Sequence, residues 1–116
     1  MYDENNIFAK ILRKEIPCDK IYEDEHSLFF KDINPQAKIH VIAIPKVPCI
    51  DFGDFISNTD AHIVSSFFKS INIVIESLEL KQNGFKLISN SGQDGGQEVP
   101  HFHIHILAGE KINLKV

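Results

Sequence analysis

His101-Phe102-His103-Ile104-His105-Ile106 alternates imidazole rings with apolar side chains. Successive side chains of a β-strand point to opposite faces of a sheet. The stretch therefore predicts a strand, continued to Ala108, whose three histidines share one face and whose apolar residues share the core-facing side. Residues on the same face of a strand lie about 6.6 Å apart, so three imidazoles would line a groove on the sheet.

A glycine-rich loop, residues 90–100, leads into this strand and holds Gly92, Gly95 and Gly96. Glycine lets backbone N–H groups turn inward and approach an anion. Such donors beside neutral imidazoles suit phosphoryl chemistry, since the donors stabilise developing charge and an imidazole attacks phosphorus. The glycine spacing fits neither the dinucleotide fingerprint nor the P-loop, so the interpretation depends on the histidines.

Two other interpretations of the histidines remain open. His-x-His is a familiar metal-ligand spacing, and imidazole suits zinc, copper, iron and nickel. A purely structural role is the third possibility, although strict alternation disfavours it. Cys18 and Cys49 are distant from each other in sequence and lie outside the histidine stretch, and the adjacent glycines favour an anion. We therefore predict no metal and no cofactor.

Hydrophobic periodicity predicts the other elements. The longest is a helix over 60–80, with Asn58 or Thr59 as its N-cap. Its predicted apolar stripe comprises Ile63, Phe67, Ile71, Val74, Ile75 and Leu78. The remaining elements are a short helix over 6–14 and strands over 20–25, 27–33, 39–44, 85–89 and 101–108. The predicted fold class is α+β, an antiparallel sheet with one long and one short helix that cover one face.

Length and composition set the boundaries of this prediction. A chain of 116 residues fits a single domain, 1–116. The formal net charge of −4 disfavours a dedicated nucleic-acid binder. The first residues lack the pattern of a signal peptide, and no apolar run approaches the ~20 residues of a membrane span. We expect a cytoplasmic protein that binds neither nucleic acid nor membrane.

Residues 101–107 match the pattern His-φ-His-φ-His-φ-φ, in which φ is hydrophobic. With this motif and its loop, the chain resembles the histidine triad (HIT) family, in particular its nucleotide-binding branch. Further blocks of the same branch are similar in the expected order: Phe8-Ala9-Lys10-Ile11, Lys14-Glu15-Ile16-Pro17, Asp32-Ile33-Asn34-Pro35-Gln36-Ala37, His40-x-x-x-Ile44-Pro45-Lys46 and Asn90-x-Gly92-x-Asp94-Gly95-Gly96-Gln97-x-Val99.

The resemblance implies a purine nucleoside phosphoramidase or nucleotidyl hydrolase that acts at the α-phosphate through a nucleotidyl-histidine. His103 would be the nucleophile, with its other ring nitrogen donating to a backbone carbonyl. His105 would contact phosphate oxygens, and His101 would support the row in a hydrogen-bond relay with His40. The alternatives are a dinucleoside polyphosphate hydrolase and a nucleotide-binding scaffold protein with vestigial activity.

The resemblance also implies a binding site for a purine nucleoside monophosphate or its phosphoramidate. Asp32 would accept from the ribose hydroxyls, unless it is only a turn former. The α-phosphate would be bound by Asn90 and the backbone of Gly96, Gln97, Glu98 and Val99. An apolar slot for the base would comprise Phe8, Ile16, Phe30, Ile33 and Ile42, for each of which plain core packing is the alternative.

Departures from the family pattern qualify these implications. Some relatives bind zinc through a short N-terminal CxxC, whose positions are Asn6 and Ala9 here. Eukaryotic members have a serine, which helps to protonate the leaving amine, where this chain has Glu98. They also end in a tail with a tryptophan, whereas residues 111–116 contain no aromatic. The family is dimeric, so we expect a homodimer formed by the long helix and a sheet edge.

Overall fold

A computed structural model describes residues 1–114, all but the last two residues of the predicted domain. It consists of α1 (Ile7–Leu12), β1 (Lys20–Glu23), β2 (Ser27–Lys31), β3 (Ile39–Pro45), α2 (Phe52–Asn58), α3 (Ala61–Ser77), β4 (Lys86–Ile88) and β5 (Ile104–Ala108). The strands form one sheet in the order β1-β2-β3-β5-β4, and every neighbouring pair is antiparallel. The predicted α+β class with an antiparallel sheet is confirmed.

The long helix α3 packs on one face of this sheet through the predicted stripe. Phe67, Ile71, Val74 and Ile75 are buried, and Ile63 and Leu78 at the two ends of the stripe are half-buried. Apart from Ile63, they join a core with the inward-facing side chains of the sheet, among them Phe29, Val41, Ala43, Ile104 and Ile106. Among residues 1–114, no helix has the length and apolarity required to cross a bilayer.

The short helix α1 packs on the opposite face, so the expectation that helices cover only one face is wrong. Phe8 and Ile11 form a second core cluster with the other set of alternating strand residues, Leu28, Phe30, Ile42 and Ile44. The strands β2 and β3 are buried almost throughout, because apolar side chains on both of their faces have a helix to pack against.

The second short helix, α2, has no counterpart among the predicted elements. Asp51 caps it by accepting from the N–H of Asp54, and Phe55 is its one buried residue. A single buried side chain makes no periodic stripe, which explains why the pattern missed this helix. Because α2 occupies residues 52–58, the N-cap of α3 is Asp60 rather than the predicted Asn58 or Thr59.

The last strand, β5, begins at Ile104 rather than at His101, so the predicted strand is wrong over its first three residues. Pro100 precedes a turn in which the N–H of His101 donates to the carbonyl of Val99, and the N–H of Phe102 donates to Cys49 outside the sheet. Phe102 nevertheless lies in the core, as the alternation predicted. Of the three histidines, only His105 belongs to the strand.

Candidate active site

A cleft of about 700 Å³ opens on the face of the sheet that α1 covers. It lies between α1, strands β2 and β3, and the glycine-rich loop. Its lining includes Phe8, Ile16, Phe30, Asp32, Ile33, His40, Ile42, Asn90, Gly96, Glu98, Val99, His103 and His105, all candidates from the sequence. The fold thus brings together segments that are far apart in the chain. His101 and Gln97 do not line the cleft.

Several lining residues were not among the candidates, notably Ile7, Ile11, Pro17, Cys18 and Gln36. Helical spacing could have identified two of them, because Ile11 lies three positions after Phe8 on α1 and Ile7 lies four positions before Ile11. The other three lie in the segments between regular elements, whose course the sequence pattern did not specify. At the rim of the cleft, the candidate Ile33 is 87% exposed.

His103 lines the cleft with a defined tautomer. Its Nδ1 lies 2.7 Å from the carbonyl oxygen of His101. A carbonyl only accepts, so Nδ1 carries the ring proton and Nε2 keeps a lone pair. The ring also meets the Phe8 ring edge-to-face at 4.9 Å, and burial lowers the pKa of His103 below its usual 6.5. This imidazole is therefore neutral at neutral pH, with Nε2 free to act as a nucleophile.

The tautomer of His105 is determined by a chain of hydrogen bonds that begins at a backbone amide. The N–H of Gln36 donates to Nδ1 of His40 at 3.0 Å, so Nε2 of His40 carries a proton. That nitrogen lies 2.8 Å from Nδ1 of His105, which therefore accepts and leaves the proton of His105 on Nε2. Burial lowers the pKa of His105 to about 4. His40 thus pairs with His105, and the expected relay between His40 and His101 is wrong.

His101 lies behind the cleft with no exposed surface. Its Nε2 donates to the carbonyl of Pro45 at 2.9 Å. Its Nδ1 lies 2.6 Å from the hydroxyl of Tyr2, which must be the donor because Nδ1 is unprotonated in this tautomer. Burial lowers the pKa of His101 to about 4. Nothing in the sequence signalled the contact with Tyr2, since the two residues are 99 positions apart.

Asp32 forms a turn and also faces the cleft, so the two interpretations of this residue are compatible. Its Oδ1 accepts from the N–H of Asn34 at 2.8 Å, the side-chain turn expected of an aspartate here. Its Oδ2 lies 3.3 Å from Nε2 of His40, and 18% of the side chain is exposed. Each carboxylate oxygen retains a further lone pair for a ligand.

Asp32, His40 and His105 also form the one cluster of metal-ligating side chains found among the described residues. Their potential ligand atoms all lie within 4.8 Å of one another. One carboxylate and two imidazoles suit zinc or a similar ion. However, a metal here would displace the proton that joins the two rings. At the N-terminus, Asn6, at a CxxC position of the zinc-binding relatives, instead caps α1 by accepting from the N–H of Ala9.

The glycine-rich loop is held together by its own hydrogen bonds. Gly96, at a φ of +73°, donates its N–H to Gln93. The side-chain amide of Gln97 donates to the carbonyls of Ile50 and Val99, and its oxygen accepts from the N–H of Gly92.

The backbone N–H of Gln97 donates to the carbonyl of Gly92. Gln97 therefore stabilises the loop instead of lining the cleft, contrary to the expectation for this residue. Within the described chain, Glu98 and Val99 are the expected phosphate-binding residues whose N–H groups the loop itself does not use.

Comparison with known proteins places this fold and cleft in a family. A family model for the HIT domain matches residues 13–112. A 13.2 kDa HIT-like protein of Azospirillum brasilense is 44% identical over 96% of this chain and 91% of its own. A purine nucleoside phosphoramidase of Escherichia coli is 35% identical, over 94% of this chain and 91% of that protein.

Solved structures agree with the sequence relatives. A histidine triad protein from Clostridium difficile has a TM-score of 0.89 and 41% identity, with complete coverage of both chains. A HIT family hydrolase from Legionella pneumophila has a TM-score of 0.85 and 34% identity, and covers 92% of this chain and 95% of its own. The family match spans more than half of the chain, and the protein therefore belongs to the HIT family.

Proposed function

We propose that the protein is a purine nucleoside phosphoramidase, a hydrolase that attacks the α-phosphate through a nucleotidyl-histidine. The observation that carries this proposal is the hydrogen bond from Nδ1 of His103 to the carbonyl of His101, which leaves the Nε2 lone pair for a substrate in the cleft. The named activity of the Escherichia coli relative supports it.

The cleft suits the three parts of a purine nucleotide. The apolar wall formed by α1, β2 and β3 would take the base. Asp32 would accept from the ribose hydroxyls through the lone pairs that its turn does not use. Asn90 and the N–H groups of Glu98 and Val99 would bind the α-phosphate, which places phosphorus next to His103.

In the first half-reaction, Nε2 of His103 attacks phosphorus and the P–N bond to the amine breaks. The amine leaves with that electron pair and takes up a proton from solvent, to which the attacking water of the second half-reaction returns one. The Nε2–H of His105 donates to a non-bridging phosphate oxygen, where negative charge increases. In the second half-reaction, water attacks phosphorus and the bond to His103 breaks. The nucleoside monophosphate is released, and the elements of water are divided between it and the amine.

A fluorogenic adenosine phosphoramidate tests the proposal directly. We expect turnover by the wild-type protein, and we expect it to survive dialysis against a strong chelator because each step uses side chains. His103→Ala should abolish turnover and retain nucleotide binding. His62→Ala removes an exposed imidazole on α3 and should change neither.

The covalent intermediate offers a second measurement. A phosphoramidate on a ring nitrogen survives mild base, so an alkaline quench and peptide mapping should find the nucleotidyl group on His103. Nucleotide binding without turnover in the wild-type protein would instead support a scaffold. An adduct on His101 or His105 would contradict the assigned roles.

We also propose a homodimer. The strand β4 is at the sheet edge, and it carries Leu87, 45% exposed, beside Phe85, 37% exposed. The outer side of α3 presents Ile73, 48% exposed, and Phe68. An apolar sheet edge is prone to pair with another strand, and a two-fold axis would pair each such surface with itself. Sedimentation should show a dimer at micromolar concentration, and an active monomer would contradict a required dimer.

A further inference from the structure

Within residues 1–114, the side chain of His101 has two hydrogen-bond partners, and the hydroxyl of Tyr2 is the one that comes from another side chain. The carbonyl of Pro45, at the end of β3, accepts a hydrogen bond from Nε2–H of His101. The Tyr2 hydroxyl, 2.6 Å from Nδ1, then supplies the single hydrogen that this nitrogen can accept. The two rings also meet edge-to-face, with centroids 5.7 Å apart. His101 is fully buried, so losing either partner would leave a ring nitrogen unsatisfied.

The segment that carries Tyr2 is itself held in place. The side-chain amide and the backbone N–H of Asn6 both donate to the carbonyl of Asp3. Arg13 donates from its guanidinium to the carbonyl of Glu4 at 2.9 Å. These bonds tie the first residues to α1, and they fix the position of the phenol relative to the buried imidazole.

The hydrogen bond between Tyr2 and His101 is linked to His103 through the backbone carbonyl of His101. Its carbonyl accepts the Nδ1 proton of His103 at 2.7 Å, so any movement of His101 moves the acceptor that defines the His103 tautomer. We propose that Tyr2 is a positioning residue: its hydroxyl holds His101, and His101 holds the His103 ring with Nε2 available in the cleft. This inference rests on the proposed function. Tyr2 lies outside the cleft lining, so it would act on the chemical step rather than on binding.

The chain offers a matched pair of variants, because Tyr2 and Tyr22 are its two tyrosines. Tyr2→Phe removes only the hydroxyl that His101 accepts from. Tyr22→Phe removes the same atom from a half-buried tyrosine of β1, which packs against the core on the other face. We expect Tyr2→Phe to lower kcat about tenfold, because a less firmly held His101 misplaces the His103 ring, with KM unchanged. Tyr22→Phe should leave both unchanged.

A double-mutant cycle tests whether the effect passes through His101. His101→Leu keeps a buried side chain at this position and offers no acceptor to the Tyr2 hydroxyl. In this background, Tyr2→Phe should cause no further loss of kcat. An undiminished second loss, or a Tyr2→Phe protein that is less heat-stable but fully active, would overturn the proposal.

Ring-nitrogen NMR gives a readout that does not depend on turnover. In the wild-type protein, Nδ1 of His101 should resonate as an unprotonated, hydrogen-bonded nitrogen, and His103 should show a single Nδ1–H tautomer. In Tyr2→Phe, Nδ1 of His101 should shift towards the value of a free nitrogen, and His103 should populate both tautomers. Unchanged spectra would overturn the proposal. A wild-type protein with these spectra but no turnover would contradict the proposed function alone.

Discussion

The position of each proton in the cleft is set by groups whose donor or acceptor character cannot change. The carbonyls of Pro45 and His101 only accept, and the N–H of Gln36 only donates. These fixed partners determine the tautomers of His101, His103 and His40 in turn, and His40 then determines that of His105. A neutral imidazole with a free Nε2 and a neighbouring N–H donor are therefore already in place in the free protein, and under the proposed function this avoids the cost of reorganisation during the reaction.

The ribose contact gives a prediction at the level of a single residue. If Asp32 accepts from both hydroxyls, a 2′-deoxy phosphoramidate should lose one charge-assisted hydrogen bond and fall roughly tenfold in kcat/KM. Asp32→Asn should lower kcat/KM for the ribose substrate and reduce the difference between the two substrates. Asp60→Asn alters an exposed aspartate whose side chain makes no capping bond, so it should retain the wild-type difference. Equal handling of both substrates by the wild-type protein would remove Asp32 from the ribose site.

The elements that could be predicted are those whose side chains alternate or repeat regularly. The stripe of α3 and the apolar half of residues 101–108 both depend on local geometry, and both are confirmed. The antiparallel pairing of β3 with β5 brings His40 opposite Leu107 and beside His105. No local pattern specifies that register, so the partner of His40 was predicted wrongly. Tyr2 was missed for the same reason.

In the glycine-rich loop, one glycine is required by the course of the backbone. Gly95 lies so close to the preceding turn that an added Cβ would be 2.4 Å from the carbonyl oxygen of Ser91. A side chain there would have to displace backbone atoms. Glycine at this position is therefore required by close approach, even though Gly95 does not line the cleft.

Gly95→Ala should accordingly distort the loop that presents Glu98 and Val99 to the cleft. We expect kcat/KM to fall by about tenfold or more, as follows from a misplaced binding group. Gly53→Ala is the matched control, since its Cβ would meet only Asp51, at 3.8 Å, within helix α2. There alanine should be neutral or slightly stabilising. A Gly95→Ala protein with full activity would show that the loop geometry does not contribute to catalysis.

The larger hydrophobic core and the cleft lie on opposite faces of the sheet. Helix α3 and the sheet residues facing it form the larger core. The face covered by α1 combines a smaller apolar cluster with the imidazoles of the cleft. Burying several imidazoles keeps them neutral and nucleophilic, but it also makes the folded state sensitive to acid, because a neutral buried histidine resists a proton that the unfolded chain accepts.

The sign and the pH window of this sensitivity follow from the shifted pKa values. His101 and His105 have pKa values of about 4 in the folded protein, against 6.5 for an ordinary histidine. Between these values the unfolded chain binds protons that the folded chain does not, so the free energy of unfolding decreases as pH falls from 6.5 towards 4. Asp24 and Asp54, whose pKa values are lowered from 3.8, lose their contributions only below this window.

We therefore expect the free energy of unfolding, measured by urea denaturation, to decline between pH 6.5 and pH 4, with a slope of about 1.4 kcal/mol per pH unit for each extra proton bound by the unfolded state. Calorimetry near pH 5 should detect uptake of about two protons or more on unfolding. His101→Gln removes one of the two most shifted groups, so it should make the slope shallower whatever its effect on stability at neutral pH. Stability that is constant across this window would show that the imidazoles are not held neutral by burial, and the nucleophile would then lose the basis on which it stays unprotonated.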